Sequence, residues 1–524
     1  MPRLPVRLSL LASAAILYGA SAGAQTLPFF TPGDLVVSSV QDSSSKNGGA
    51  ALDTASPITL TEYALSGTGS SASASAVGTL VLPQTSNGVQ SAISGEWGSA
   101  SEGMLENSVN GQYLTIVGYG VNANTFNSYT SANTSPYGTL ALGQTNSLTG
   151  QTTTTVPRVV ALINGNGLVD TSTALTGVFN QNNPRSAATV DGSQIYVSGQ
   201  GVTGDGTGGV FLANRGATTA TAINVNTTGA GANTTSATVA TETRAVEIVN
   251  TGSGNTLEVS RDFKVSGTPN DATDIRILTA PGGGLPTTST GLVATRVFNT
   301  NTSTGESGNS RGGNTSSINL GATTTSTTSA LNNGVNNGRD GKFVYLSPEQ
   351  FYYANATTLY VADSGSPKNG SPNTAQLGEG GLQKWSLVGG VWTLDYDIYL
   401  FNDGLSLANN ANANSGTPTA AGITGLFGLA CQQVGLYTDC YATTYGLNEL
   451  SASYLVGVSD LTSNTDASTG SGEVLTVLES GGTDSNGNNI LLRGVAFAPV
   501  PEPASPALFG VGAAAIGLIR RRRR

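Results

Sequence analysis

The chain has 524 residues, of which 70 are glycine, 38% hydrophobic and only 10% charged, with a formal net charge of −10. Histidine is absent, which removes the commonest general base, the commonest zinc ligand and any Ser-His-Asp triad, and two cysteines are too few for a zinc or iron–sulfur centre. The length suits one large domain or roughly two to three ordinary ones, and so little charge argues against a self-repelling disordered chain.

In chain order, Arg3 and Arg7 precede the apolar run "LSLLASAAILYGASA", and Ala22-Gly23-Ala24 supplies a small-x-small cleavage pattern. Residues 1–24 therefore read as an export signal cut after Ala24, with a buried N-terminal helix as the plainer alternative.

The body, residues 25–498, repeats one pattern: a turn residue, a short run of Tyr, Val, Ile and Leu, then glycine. It appears as "GDLVVSSV" from Gly33, "NGQYLTIVGYG" from Asn110, "DGSQIYVSGQG" from Asp191, "NTLEVSRDF" from Asn255, "DGKFVYLS" from Asp340, "TTLYVADSGS" from Thr357 and "NNILLRGVAF" from Asn488. Turn residues before β-branched and aromatic runs are hairpin signals. In "GGLQKWSLVGGVWTLDYDIYL", Gly389-Gly390 joins two predicted antiparallel strands.

Strand, loop, strand, Gly-Gly turn, strand resembles a blade of a β-propeller of the broad YVTN or lactonase-like kind. Cues recur near positions 36, 115, 196, 257, 345 to 360, 436 and 492, a mean step of about 76 residues. Propeller repeats run at ~40–50 residues, so the excess falls to Ser/Thr/Asn/Gly loops, above all Asn301 to Arg339. The expectation is an all-β chain forming a single large propeller of about seven blades, closed by pairing "GDLVVSSV" with "ILLRGVAF". A right-handed β-solenoid and a tandem of β-sandwiches are the alternatives.

Candidate chemistry is sparse. Lactonase-like propellers often hold a divalent metal in the central channel, and here the densest acidic groups are Asp395 and Asp397 in "TLDYDIYL" and Asp262 in "SRDF". Two apart on a strand, Asp395 and Asp397 would share a face, where calcium is the ion their oxygens would suit; a solvated strand face is the plain alternative, and no cofactor is expected. Glu96, Trp97 and Glu102 in "SGEWGSASEG" are a candidate sugar-binding or glycosidase cluster. Trp97, Trp385 and Trp392 suit blade packing better than carbohydrate platforms. "GDGTGG" from Gly204 and "NGNG" from Asn164 lack the Lys-Ser/Thr ending of a phosphate loop and read as turns. Cys431 and Cys440, nine apart in "CQQVGLYTDC", are expected to form a local disulfide in an oxidising compartment, stapling a hairpin or loop.

At the end, Ala504 to Ile519 carries no charge and is followed by Arg520, Arg521, Arg522, Arg523 and Arg524. As a helix the stretch would span roughly 24 Å, slightly short of a ~30 Å hydrocarbon core, with the arginines cytoplasmic. Pro501-Glu502-Pro503, an apolar helix and an arginine cluster together resemble the PEP-CTERM sorting signal, over residues 499–524. That resemblance implies handling by an exosortase, a membrane cysteine protease acting at or near Pro-Glu-Pro, in Gram-negative bacteria that make exopolysaccharide. A permanent tail anchor is the alternative. The prolines keep the segment extended and accessible.

Without the two signal arginines, the five terminal ones and Glu502, 15 of the 22 basic and 31 of the 32 acidic residues remain. So acidic a body excludes nucleic acid as a partner. The expectation is a non-enzymatic structural or adhesive protein. It passes through the secretion machinery and transient inner-membrane insertion to the cell surface or biofilm matrix, with exopolysaccharide or other matrix components as partners. A carbohydrate- or ligand-binding propeller comes next, and a metal-assisted propeller hydrolase last.

Overall fold

A computed structural model describes residues 29–41, 54–129, 134–202, 204–227, 243–250, 252–263, 272–297, 347–365, 380–398, 423–446, 451–465 and 473–501. The chain starts with β1 (Leu35–Val40), β2 (Thr54–Pro57), β3 (Thr59–Ser66) and β4 (Ser73–Val81). Then come β5 (Ser94–Trp97), β6 (Glu106–Asn107), β7 (Tyr113–Tyr119), a one-turn helix α1 (Ala123–Asn127), β8 (Arg158–Asn164) and β9 (Val169–Leu175). Three four-strand units follow: β10 (Pro184–Thr189) with β11 (Gln194–Gly199), β12 (Asp205–Asn214) and β13 (Thr221–Thr227); β14 (Thr243–Asn250) with β15 (Asn255–Phe263), β16 (Ala272–Thr279) and β17 (Val293–Arg296); and β18 (Pro348–Asn355) with β19 (Thr358–Asp363), β20 (Gly381–Val388) and β21 (Val391–Ile398). The last are β22 (Ile423–Val434), β23 (Tyr437–Gly446), β24 (Tyr454–Leu461), β25 (Thr476–Ser480) and β26 (Leu491–Phe497).

Among the described residues these strands form six antiparallel sheets. Neighbouring sheets meet along β6, β10, β14, β18, β22 and β26, and β26 returns to β6, so the six are blades around one axis with those strands innermost. The expected closure is present. β26 lies beside β1 in the order β26-β1-β3-β4, with Leu35 opposite Phe497 and Val40 opposite Leu491. This pairing joins the two ends of the described chain in one blade and closes the ring. It also corrects the blade count from seven to six, because the cues near 36 and 492 are two strands of one sheet. The second blade is enlarged: β2 and β5 pair with each other, and β5 joins β7 at Tyr119.

The sequence builds this ring because strands buried on both faces read as near-continuous apolar runs. In β7, Leu114 and Ile116 enter the core shared with the first blade, while Tyr113 and Val117 enter the core shared with the third. In β19, Leu359 and Val361 face the fourth blade, and Tyr360 and Ala362 face the sixth. Stability is thus divided among inter-blade cores, where each fully buried Leu, Ile or Val contributes about 1.5–3 kcal/mol. The Gly389-Gly390 turn links β20 to β21 as predicted; both residues have positive φ (61° and 83°), which a two-residue hairpin of this twist requires.

Inner strands share one direction, so turns joining the first to the second and the third to the fourth strand of each blade lie on one face. That exit face holds the 108–112, 165–168, 389–390 and 435–436 turns and the chain after β26. The opposite face receives the remaining connections, including the 98–105 and 120–157 segments. Asn301 to Arg339 and most of "DGKFVYLS" lie outside the described residues.

Candidate functional site

The inner strands leave a cavity of about 220 Å³ on the axis, lined by Leu105, Glu106, Glu247, Phe351, Leu429 and Val495, among others. Strand alternation places its polar groups. Ala245 and Glu247, two apart on β14, turn to the axis while Val246 enters the core shared with the third blade. Gln350 of β18 is buried and crosses to the opposite blade: its Nε2 donates to Glu106 Oε1 (2.7 Å) and to the Leu105 carbonyl (2.9 Å). Its Oε1 accepts from the Leu429 N–H of β22 (2.8 Å), so one amide ties three blades together.

Burial dominates the electrostatics. It pushes Glu106 up to about 8 against the donors from Gln350 and Ser186. It holds Glu247 well above the ordinary carboxyl range, reinforced by the nearby Glu106 and eased by the Phe351 N–H, which donates to Oε1 (3.0 Å). Glu258, on β15, is pushed up to about 7 by burial, opposed by the Tyr353 and Thr256 hydroxyls. At neutral pH the cavity is thus a weakly charged chamber able to donate and accept hydrogen bonds inside an apolar wall. Its other end is filled: Met104, from the loop before β6, is fully buried against Ala245 and Phe427. Buried charges surround this plug, among them the ion pair of Arg244 with Glu349 (2.5 Å).

Glu96 and Glu102 do come together, in a closed network. Glu102 Oε2 accepts from the Glu96 N–H (3.2 Å) and Oε1 from the Tyr119 hydroxyl; Glu96 accepts from the Gly143 N–H (2.9 Å) and from Asn183 (3.3 Å). The Arg158 guanidinium lies over the Tyr119 ring, 4.7 Å from its centroid. Burial lifts Glu102 to about 7 despite these donors. The adjoining cavity, about 10 Å³, has room for roughly one water and none for a sugar ring. Trp97, Trp385 and Trp392 are buried in inter-blade cores.

Asp395 and Asp397 do not share a face. Lys384 is opposite Tyr396 but Trp385 is opposite Leu394, so Asp395 is the extra residue of a bulge. Leu394 consequently enters the core toward the fourth blade, whereas Tyr396 and Ile398 enter that toward the sixth. Asp395 accepts from Ser386 Oγ (2.6 Å), and burial lifts it to about 7 against Ser386 and Lys384. Among the described residues no group of three or more acidic, Cys or His side chains is placed to hold a metal ion. The Asp262 side chain lies outside the described residues.

Two features of the fifth and sixth blades carry chemistry. Cys431 and Cys440 face each other across β22 and β23 and are bonded, Cys431 lining the axial cavity. Between the two blades, the fully buried Lys384 donates to Asp460 Oδ2 (2.5 Å), the Leu461 carbonyl (2.7 Å) and the Tyr396 hydroxyl (3.1 Å). Tyr360 and Tyr396 also donate to Asp460. Sequence reasoning missed Glu106, Glu247, Gln350 and this cluster; the available signal was a charge or amide inside an apolar run, as in "TRAVEIVN" and "LQKWSL".

Past β26 the chain stays on the body. The Ala498 N–H donates to the Asp34 carbonyl (2.8 Å) and the Val500 N–H to the Gly111 carbonyl (2.8 Å). A Cβ at Gly165 would come within 2.7 Å of the Pro499 carbonyl oxygen and the Pro501 nitrogen, so only glycine admits this approach. Pro501 is the last described residue; Ala22, Ala24, Glu502, Pro503 and Arg520 to Arg524 lie outside. No helix among the described residues is long and apolar enough to cross a membrane, and the 504–519 stretch is not among them.

Fold and terminus together define the class: a six-bladed β-propeller delivered by a terminal address. Residues 499–524 match the family model of the PEP-CTERM protein-sorting motif, so the chain carries that motif and is exported through the membrane and sorted by an exosortase. No curated protein matches the chain. Among solved structures it is similar to the crystal structure of an ancestral GH74 enzyme, at 11% identity and a TM-score of 0.23, covering 88% of this chain. The chain spans 64% of that structure's length.

Proposed function

We propose that this protein is a non-catalytic structural or adhesive module, carried by its sorting motif to the cell surface or biofilm matrix of a Gram-negative, exopolysaccharide-making bacterium. The observation that carries the reading is the position of the motif. The ring is closed by β26, which ends at Phe497, and the motif begins at residue 499, so an exosortase can act without opening the ring. Its buried carboxylates support a structural role: Glu96 and Glu102 are sealed among protein donors, and Gln350 engages Glu106. In the producing organism, fractionation would find the protein in the surface or matrix fraction, and it would co-sediment with the host's own exopolysaccharide. Retention in the inner membrane with no such association would contradict the proposal.

The axial cavity favours a second reading, binding of a small hydroxyl-rich ligand by Glu106 and Glu247. A glycan array separates the two: binding lost in the Glu247→Leu variant supports the cavity, and no binding supports the structural role.

A further inference from the structure

The exposed apolar side chains of the body are concentrated on the exit face. Phe29, Leu168, Val388, Leu436, Tyr437 and Val500 all lie at turns or chain ends there, with Leu436 75% and Leu168 68% exposed. Among the described residues, the large apolar side chains exposed away from that face are Val77, Val81, Val89 and Val202, on an outer edge strand or at the opposite face. The same face is nearly uncharged. Its described turns and chain ends carry Asp34, Asp191 and the half-buried Glu473, plus Arg215, whose charge is paired with Asp170 at 2.6 Å. The other described turns of this face carry no charged residue, as in the 108–112, 165–168 and 280–292 segments.

We infer that the exit face is a lipid-docking surface, on which the propeller rests against the outer leaflet while its tail is in place. The occupant follows from where the chain goes. Val500 is bonded to Gly111 and Pro501 packs at Gly165, both on this face. Only Glu502 and Pro503 separate Pro501 from the apolar stretch that begins at Ala504. Three residue steps span at most about 10 Å. A tail entering the bilayer at Ala504 therefore brings the exit face to the headgroups, where exposed Leu, Phe and Tyr gain from burial and few charges lose water. The disulfide between Cys431 and Cys440 braces the hairpin whose tip presents Leu436 and Tyr437. The inference rests on the tail entering the membrane, as the sorting reading requires.

The test reconstitutes the full chain into zwitterionic phosphatidylcholine–phosphatidylethanolamine vesicles with acyl-brominated lipid, comparing Leu436→Trp, Leu168→Trp and, on the opposite face, Val202→Trp. The native tryptophans are buried and supply a constant background. Docking predicts roughly twofold or greater quenching at 436 and 168, with none at 202 beyond background. Chain that floats with the vesicles but shows equal quenching at all three positions overturns the docking surface and leaves the tail reading intact. Chain that does not float overturns both. Protection at 436 and 168 that needs no lipid and accompanies a doubled mass overturns lipid docking in favour of a second copy on this face.

Discussion

Leu35, near the start of the described chain, lies directly opposite Phe497, near its end, in an antiparallel pair, and two residues further in Val37 faces Val495. Both valines are fully buried, in the core between the sixth blade and the first. The ring therefore depends on its last strand, whose pairing with β1 ends at Phe497. Ending the chain after Pro501 is expected to leave the thermal midpoint unchanged, whereas ending it after Ile490 abolishes cooperative unfolding. Val495→Ala should cost about 2 kcal/mol in urea titration.

The Gln350 amide spans the axis, and its loss is felt in three blades. Gln350→Leu removes the donor to Glu106 and the acceptor of the Leu429 N–H, with an expected loss of about 1–3 kcal/mol. Gln350→Glu restores an acceptor but brings a third carboxyl toward Glu106 and Glu247. Its destabilisation is expected to grow as pH rises, which denaturant titration at several pH values would show.

Burial raises Glu102 and Glu258 to about 7, Glu106 to about 8 and Glu247 upward as well. The folded protein thus keeps protons that the unfolded chain, with glutamate near its ordinary ~4.3, has already released. Unfolding releases protons through this window, so the contribution of these groups to stability falls as pH rises from about 4.5 through about 8. Each such group contributes a slope of about 1.4 kcal/mol per pH unit within its own range. Urea midpoints are expected to be higher near pH 5 than near pH 8, and Glu106→Gln to flatten the profile.

Lys384 and Asp460 form a buried ion pair with two tyrosine hydroxyls around it. Lys384→Met leaves Asp460 without its cation and is expected to cost about 3–5 kcal/mol. Adding Asp460→Asn to that variant removes the stranded charge, so the double variant should unfold at a higher denaturant concentration than Lys384→Met alone.

The ring was legible in the sequence because strands buried on both faces write their whole length in apolar residues, as "YLTIVGY" and "LYVAD" do. The closure was legible for the same reason, in "LVVSSV" and "LLRGVAF". The blade count was not, since nothing local to Val36 or Leu492 says that they belong to one sheet. Asp395 and Asp397 misled through a bulge: one unpaired residue reverses the facing that simple alternation predicts. Glu106, Glu247 and Gln350 come from three separate blades, so only the ring brings them together. Glu96 and Glu102 were visible as a cluster, but their closure by Tyr119, Gly143 and Asn183 depends on segments up to 87 residues away.

The ring closes before its address begins, and the intact mass of the protein recovered outside the cell tests this separation. The expected species is folded and lacks residues 1–24 and the end of the chain from the Pro-Glu-Pro motif onward, Arg520 to Arg524 included. A secreted species whose mass retains those five arginines would contradict that expectation.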